Sequence, residues 1–190
     1  PIGGDERGGS VVKDVVRGAR CNVAVLRDRG VEDVQQVLVL MGGGPHARLA
    51  LRLAWDIVRG EGAQLTALRF VPEEGEVDMG VEMDALCQAV EDVLGEVPEA
   101  VTTRLVRSDS LVFGTLAEVK AKSHDLIVVG ASEEWFLMRM LFGSIPDQIA
   151  EKAPCSVLMV RRYEPSGVSW LRRTFKRFPV RKSRRADIPS

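Results

Sequence analysis

The chain is poor in the residues that carry metal, redox and nucleophile chemistry. Its 190 residues include three cysteines, two histidines and one tyrosine. Cys21, Cys87 and Cys155 lie far apart and form no Cys-x-x-Cys pair, and neither His46 nor His124 is close to one of them. That pattern excludes a zinc ribbon and a disulfide scaffold. Cysteines in apolar surroundings read as small core residues of a reducing, cytoplasmic compartment. No apolar run approaches the roughly 18 residues that a membrane helix needs. The opening stretch PIGGDERGGS lacks the apolar core of a signal peptide. It also lacks an initiating methionine, as expected of a piece excised from a longer chain. The acids of 73–99 lack the spacing and central glycine of a calcium loop and read as a solvated face.

Charge is balanced overall at −1 but unevenly spread. Residues 170–190 hold eight Lys/Arg and one Asp, whereas no basic residue occurs between Arg69 and Arg104, where ten acids lie. An acidic body with a basic tail does not suit a nucleic-acid binder, and no nucleic-acid partner is expected.

From residue 34 onward, strand and helix patterns alternate. VQQVLVLM (34–41) is β-rich and ends in Gly42-Gly43-Gly44. A helix follows, with Ala47, Leu49, Ala50, Leu53, Ala54, Ile57 and Val58 on one stripe, Pro45 in its first turn and Gly60 as its expected cap. AQLTALRFVP (63–72) is a second strand. An acidic helix follows over about 80–95, with Leu86, Val90, Val93 and Leu94 inward. VTTRLVR (101–107) is a third strand. Asp109 or Ser110 then caps a helix that runs to about Lys122 and ends near His124, a position that favours the negative end of the helix dipole. DLIVVG (125–130), a helix SIPDQIAEKA and a closing strand CSVLMVR complete the series. Continuous apolar runs such as LIVV and VLMV belong to strands buried on both faces, so the fold class is α/β: a parallel sheet of five strands with helices on both faces.

An internal repeat precedes this unit. GSVVKDVVRGARCNVAVLR (9–27) aligns without gaps on GSIPDQIAEKAPCSVLMVR (143–161) at an offset of 134 residues, with six identities in nineteen. The domain plan is therefore a helix–strand remnant of a first unit (1–30), a complete unit (31–163) and a basic tail (164–190). Because edge strands invite pairing, the 22–27 strand is expected to pair with the 156–161 strand, within the chain or between chains.

This arrangement resembles the universal stress protein family, over 34–161 in full and over 9–27 as the end of a preceding copy. The resemblance implies a Rossmann-like sheet of order 3-2-1-4-5 and a dimer or pseudo-dimer through the closing edge strand. Family members that bind nucleotides carry a Gly-x-x-Gly-x9-Gly-Ser/Thr loop after the fourth strand; here Gly130, Gly143 and Ser144 match. The implied ligand is ATP or AMP, held by Gly42, Gly43, Gly44, His46, Val71, Gly130, Ser132, Gly143 and Ser144. Two departures stand against it. Gly42 replaces the family's Asp, and Glu133, followed by Glu134, replaces the loop's second glycine. Carboxylates near a polyphosphate repel it, and Asp147 can itself satisfy the positive helix end behind Ser144. The expected site is a degenerate one, and Trp135, Phe136, Leu137, Met138, Met140 and Leu141 read as an interface. No Walker-type lysine or general base supports hydrolysis, so no enzyme activity, catalytic residue or metal site is expected.

The segments GPHARLALRLAW and FGSIPDQIAEKAPCSVLMVRRYEPSG are also similar to the cytosolic tails of prokaryotic permeases of the amino acid–polyamine type. That resemblance implies a regulatory domain on the cytosolic side of an inner-membrane transporter. The tail WLRRTFKRFPVRKSRR sets Trp170, Leu171, Phe175 and Phe178 near one helical face among basic residues, a pattern suited to a membrane surface or a transporter domain.

Overall fold

The computed structural model describes residues 14, 15, 18–131 and 145–163. Ser132, Glu133, Glu134, the Trp135–Leu141 cluster, Gly143, Ser144 and the 164–190 tail lie outside them.

Six strands make one sheet: β1 Val23–Arg27, β2 Gln36–Leu40, β3 Gln64–Val71, β4 Val101–Arg107, β5 Leu126–Gly130 and β6 Ser156–Arg161. The order is β1-β6-β5-β2-β3-β4. Strands β2 to β6 are parallel to their neighbours and, counted from β2, follow the expected 3-2-1-4-5. These are the five parallel strands expected of the complete unit, and the 22–27 segment pairs with the closing strand as expected. β1 adds a sixth, antiparallel to β6, with Val23 opposite Arg161, Val25 opposite Met159 and Arg27 opposite Val157. The physical reason is that β6, as the last parallel strand, has a free row of backbone groups, and the apolar Val-Ala-Val-Leu segment satisfies it.

Among the described residues four helices connect the strands: α1 Gly44–Glu61, α2 Met79–Leu94, α3 Leu111–Lys122 and α4 Ile145–Lys152. α1 buries Ala47, Ala50, Leu51, Ala54 and Val58. Its cap is Gly62, left-handed at φ 69, and Gly60 lies inside the helix, two residues before that cap. Asp78 starts α2 by accepting the Gly80 and Val81 N–H groups, and Ser110 starts α3 by accepting that of Phe113. One core lies on each side of the sheet. Val37, Val39, Leu65 and Ala67 meet α1 and α2 on one face, while Leu38, Leu68, Ile127 and Val129 pack with Val119 of α3 and Ile149 of α4 on the other. β2 and β5, buried on both faces, are neighbours at the centre.

Two buried polar groups lie beneath α3. Glu118 is buried and pairs with Arg104 of β4 at 2.9 Å, with the N–H off the line of centres, so charge attraction rather than a linear hydrogen bond holds them. His124 is buried with Nε2 3.4 Å from Thr66 Oγ1, and burial lowers its pKa. At the end of α3 it is a buried structural residue.

Candidate functional site

The chain leaves β2 toward β3 and leaves β5 toward β6, so the connections after β2 and β5 open a crevice at the C-terminal edge of the sheet. That is where open α/β sheets take ligands. The crevice brings together Gly42, Gly43, Gly44 and His46 after β2, Val71 at the end of β3, and Gly130 at the end of β5. Ser132, Gly143 and Ser144 belong to the connection outside the described residues.

The 42–44 turn is side-chain-free. Gly43 and Gly44 have φ of 79° and 81°, left-handed values that exclude most other residues, whereas Gly42 has an ordinary φ and open space where a Cβ would stand. α1 therefore begins without a side-chain cap and without an acid in its first turn. Its N-terminal N–H groups and positive dipole end are turned to the crevice, an arrangement suited to an anion.

His46 is engaged in the fold. Its Nδ1 accepts the backbone N–H of Arg162 at 3.0 Å, which ties the first turn of α1 to the exit of β6. Gly130 has a structural reason as well. A Cβ there would lie 2.5 Å from the His46 carbonyl carbon and 2.6 Å from the Ala47 nitrogen, so the close approach it permits is to the backbone of α1. Val71 is buried, and its carbonyl accepts the Ser108 N–H at 3.0 Å.

Arg69 was not among the expected site residues. It lies two positions before Val71 on β3, and its guanidinium reaches the Met41 carbonyl at 3.3 Å and the Glu82 carboxylate at 3.5 Å. A lone cation inside the apolar run AQLTALRFVP was the available signal. Of the cysteines, Cys155 is buried, with its thiol pKa pushed up to about 11 by desolvation, but Cys21 is exposed and so is not a core residue. Among the described residues no cluster of His, Cys, Asp or Glu could hold a metal, and no helix is long and apolar enough to cross a membrane.

Comparison with known proteins matches this architecture. The profile of the universal stress protein family covers residues 34–161. A universal stress protein of Mycobacterium tuberculosis strain H37Rv is 30% identical over 167 residues, covering 81% of this chain and 56% of that protein. Cation/H(+) antiporter 15 of Arabidopsis thaliana is 30% identical over 197 residues, covering 80% of this chain and 24% of the antiporter. The chain thus spans about half the length of the mycobacterial relative and a smaller share of the antiporter. Among solved structures, a universal stress protein from Archaeoglobus fulgidus DSM 4304 superposes with a TM-score of 0.61 at 22% identity, covering 81% of this chain and 54% of that one. A universal stress protein in complex with cAMP superposes with a TM-score of 0.56 at 19% identity, covering 67% of this chain and 97% of that one. With its family profile, sheet order and crevice in agreement, this chain belongs to the universal stress protein family.

Proposed function

We propose that this chain is a cytoplasmic, non-catalytic regulatory or interaction domain of a membrane transporter of the amino acid permease type, with a degenerate nucleotide site. The observation that carries the degenerate site is the turn after β2. Gly42-Gly43-Gly44 brings no side-chain oxygen to the crevice, so no carboxylate accepts the hydroxyls of a ribose. A charge-assisted hydrogen bond contributes about 1.5–3 kcal/mol, so its lack weakens a nucleoside by roughly ten- to a hundredfold. Glu133 and Glu134 in the following connection add repulsion toward phosphate. The similarity to a plant cation/H(+) antiporter supports the transporter context, and the basic 164–190 tail suits a membrane surface or a transporter domain.

Calorimetry with ATP, AMP and cAMP tests the site. The expected result is no saturable heat at micromolar nucleotide for the native chain and a measurable gain for Gly42→Asp with Glu133→Gly. Gly42 has room for the added side chain. Tight binding by the native chain overturns the degenerate reading. For the context, the native protein is expected to fractionate with membranes and to require detergent for release; recovery as a free soluble protein of this length overturns it.

A second reading, a nucleotide sensor, is favoured by the uncapped N-terminus of α1 and by the structural neighbour that is in complex with cAMP. Saturable binding of an adenine nucleotide that Gly44→Asp abolishes would establish that reading.

A further inference from the structure

The fold leaves apolar side chains on its surface at one end of the sheet. Met79 and Val81 in the first turn of α2, and Leu111 and Phe113 in the first turn of α3, are exposed, Phe113 at 72% and Val81 at 62%. Neither pair serves the core. α2 packs through Leu86, Val90 and Val93, and α3 through Gly114, Thr115 and Val119. Single exposed apolar side chains are ordinary, but four around one pair of loops mark an interaction surface.

The loops that lead into these two turns are tied together and acidic. The Arg107 guanidinium donates to the Pro72 carbonyl at 3.1 Å. The Glu73 N–H donates to Asp109 Oδ1 at 3.1 Å, and the Ser108 N–H to the Val71 carbonyl at 3.0 Å. Residues 69–82 and 107–113 together carry six acids and two arginines. Both arginines are engaged within the fold: Arg107 with Pro72, and Arg69 with the Met41 carbonyl and Glu82. Glu73, Glu74 and Glu76 are exposed between the apolar pairs. A preformed rim of this kind, negative in the middle and apolar at both ends, complements a basic amphipathic segment and loses little freedom on binding one.

We propose that this rim, at the exits of β3 and β4, docks the chain's own basic tail. The tail has the matching chemistry. Residues 170–190 hold eight Lys/Arg and one Asp, and Trp170, Leu171, Phe175 and Phe178 fall near one face at helical spacing. It also has the reach. β6 runs parallel to β5, β2, β3 and β4, so the chain leaves β6 at the same end of the sheet as the rim. β3 and β4 lie three and four strands from β6. At about 4.8 Å per strand these are distances of roughly 14 and 19 Å. Residues 164–169, fully extended, span about 20 Å, which brings Trp170 to the rim. A tail held there passes the mouth of the crevice, because β5 and β2 lie between β6 and β3. It also withholds its basic face from other anionic surfaces. The docking goes beyond the nucleotide site and the transporter context and rests on neither.

The test is carbodiimide crosslinking of the full 190-residue chain, read by mass spectrometry on a mixture of isotope-labelled and unlabelled protein. Lys176 or Lys182 is expected to join Glu73, Glu74 or Glu76, within single chains only. The yield should fall several-fold at about 1 M salt, where charges are screened beyond about 3 Å. Val81→Ser with Phe113→Ser should lower it several-fold as well, while leaving the thermal midpoint nearly unchanged, since both side chains are exposed. Arg172→Glu with Arg173→Glu should do the same from the side of the tail, where no substitution touches the sheet. Absence of these crosslinks, or tail crosslinks spread evenly over the other acids, overturns the docking. Crosslinks between labelled and unlabelled chains overturn it in favour of a second copy. A yield that the Val81 and Phe113 substitutions leave unchanged reduces the contact to unspecific charge attraction and overturns the apolar seat. Crosslinking reads the docking and membrane fractionation reads the transporter context, so the failure of one is distinct from the failure of the other.

Discussion

Strands β1 and β6 are built from equivalent residues and differ in what covers them. β6 is flanked by β5 and β1 and lies between helices, and five of its six residues are buried. Among the described residues β1 has one neighbour, and none of its five residues is fully buried. The difference teaches that apolar sequence confers strand formation but not burial. Burial is a property of neighbours, and the same substitution at equivalent positions therefore has different costs.

The sharpest way to break the comparison is a pair of matched substitutions. Val160→Glu places a carboxylate in a dry core and should cost about 3–5 kcal/mol, enough to unfold a domain of ordinary stability. Leu26→Glu in the 190-residue chain should stay within about 0.5 kcal/mol. Urea denaturation of both variants decides it, and equal losses would mean that β1 is covered in solution.

A second pair tests the crevice. Gly130→Ala drives a methyl into the α1 backbone at His46 and Ala47 and should cost about 1–3 kcal/mol, since helix and strand must separate. Gly42→Ala meets open space and should be almost silent in thermal melting. If both are silent, the packing of α1 on β5 is looser than the structure has it.

Smaller effects are expected at the ends of the β1–β6 contact. Ser156 is buried and makes two bonds, donating to Asp28 Oδ1 at 2.9 Å and accepting the Arg29 N–H. Its equivalent Asn22 accepts the Tyr163 N–H. Ser156→Ala should cost about 1–2 kcal/mol and Asn22→Ala about half of that. The Ser156 hydroxyl, followed by the Gly30 and Val31 N–H groups, holds the Asp28 pKa below its ordinary 3.8. The linked stabilisation is therefore present above pH 3.8 and is lost as the pH falls through the depressed value. Ser156→Ala should move the Asp28 titration, followed by carboxylate NMR, upward.

The mildest prediction concerns His124. Its pKa is lowered from 6.5, first by burial, against the raising influence of Glu118. The unfolded chain binds this proton more readily than the folded one, so stability should decline as the pH drops below 6.5. His124→Gln should flatten that decline in melting curves between pH 7 and 5. An unchanged slope would assign the acid sensitivity to other groups.

Much of the fold was legible in local pattern. The runs VLVL, LIVV and VLMV are apolar on both faces, and only a sheet covered on both sides accommodates them. Ser110 was a readable cap because its hydroxyl competes for helix N–H groups wherever it stands. Gly60 misled as a helix end because a glycine inside a helix and one that ends it look alike until the next turn is known; Gly62 holds the left-handed φ. The nearness of the connection after β2 to the end of β5 was legible, since the first turn of α1 packs on Gly130. The roles were less legible. Gly130 touches a helix backbone, and His46 is bonded to Arg162, 116 residues away. Nothing local announces such partners, and the pairing of Arg104 with Glu118 was hidden for the same reason.

By itself, the sequence determined the alternation of strands and helices, the repeat at an offset of 134 residues and the absence of a side-chain oxygen at the 42–44 turn. These depend on spacing and composition, which short-range sterics and hydrophobic periodicity translate directly into structure. Only the tertiary structure decided that β1 joins the sheet antiparallel and that Gly130 and His46 serve the packing of α1. It also decided that equivalent residues of β1 and β6 end in different surroundings. Those outcomes depend on which backbone edges and surfaces meet across long stretches of chain, and that is settled by packing and hydrogen-bond satisfaction, not by any local preference.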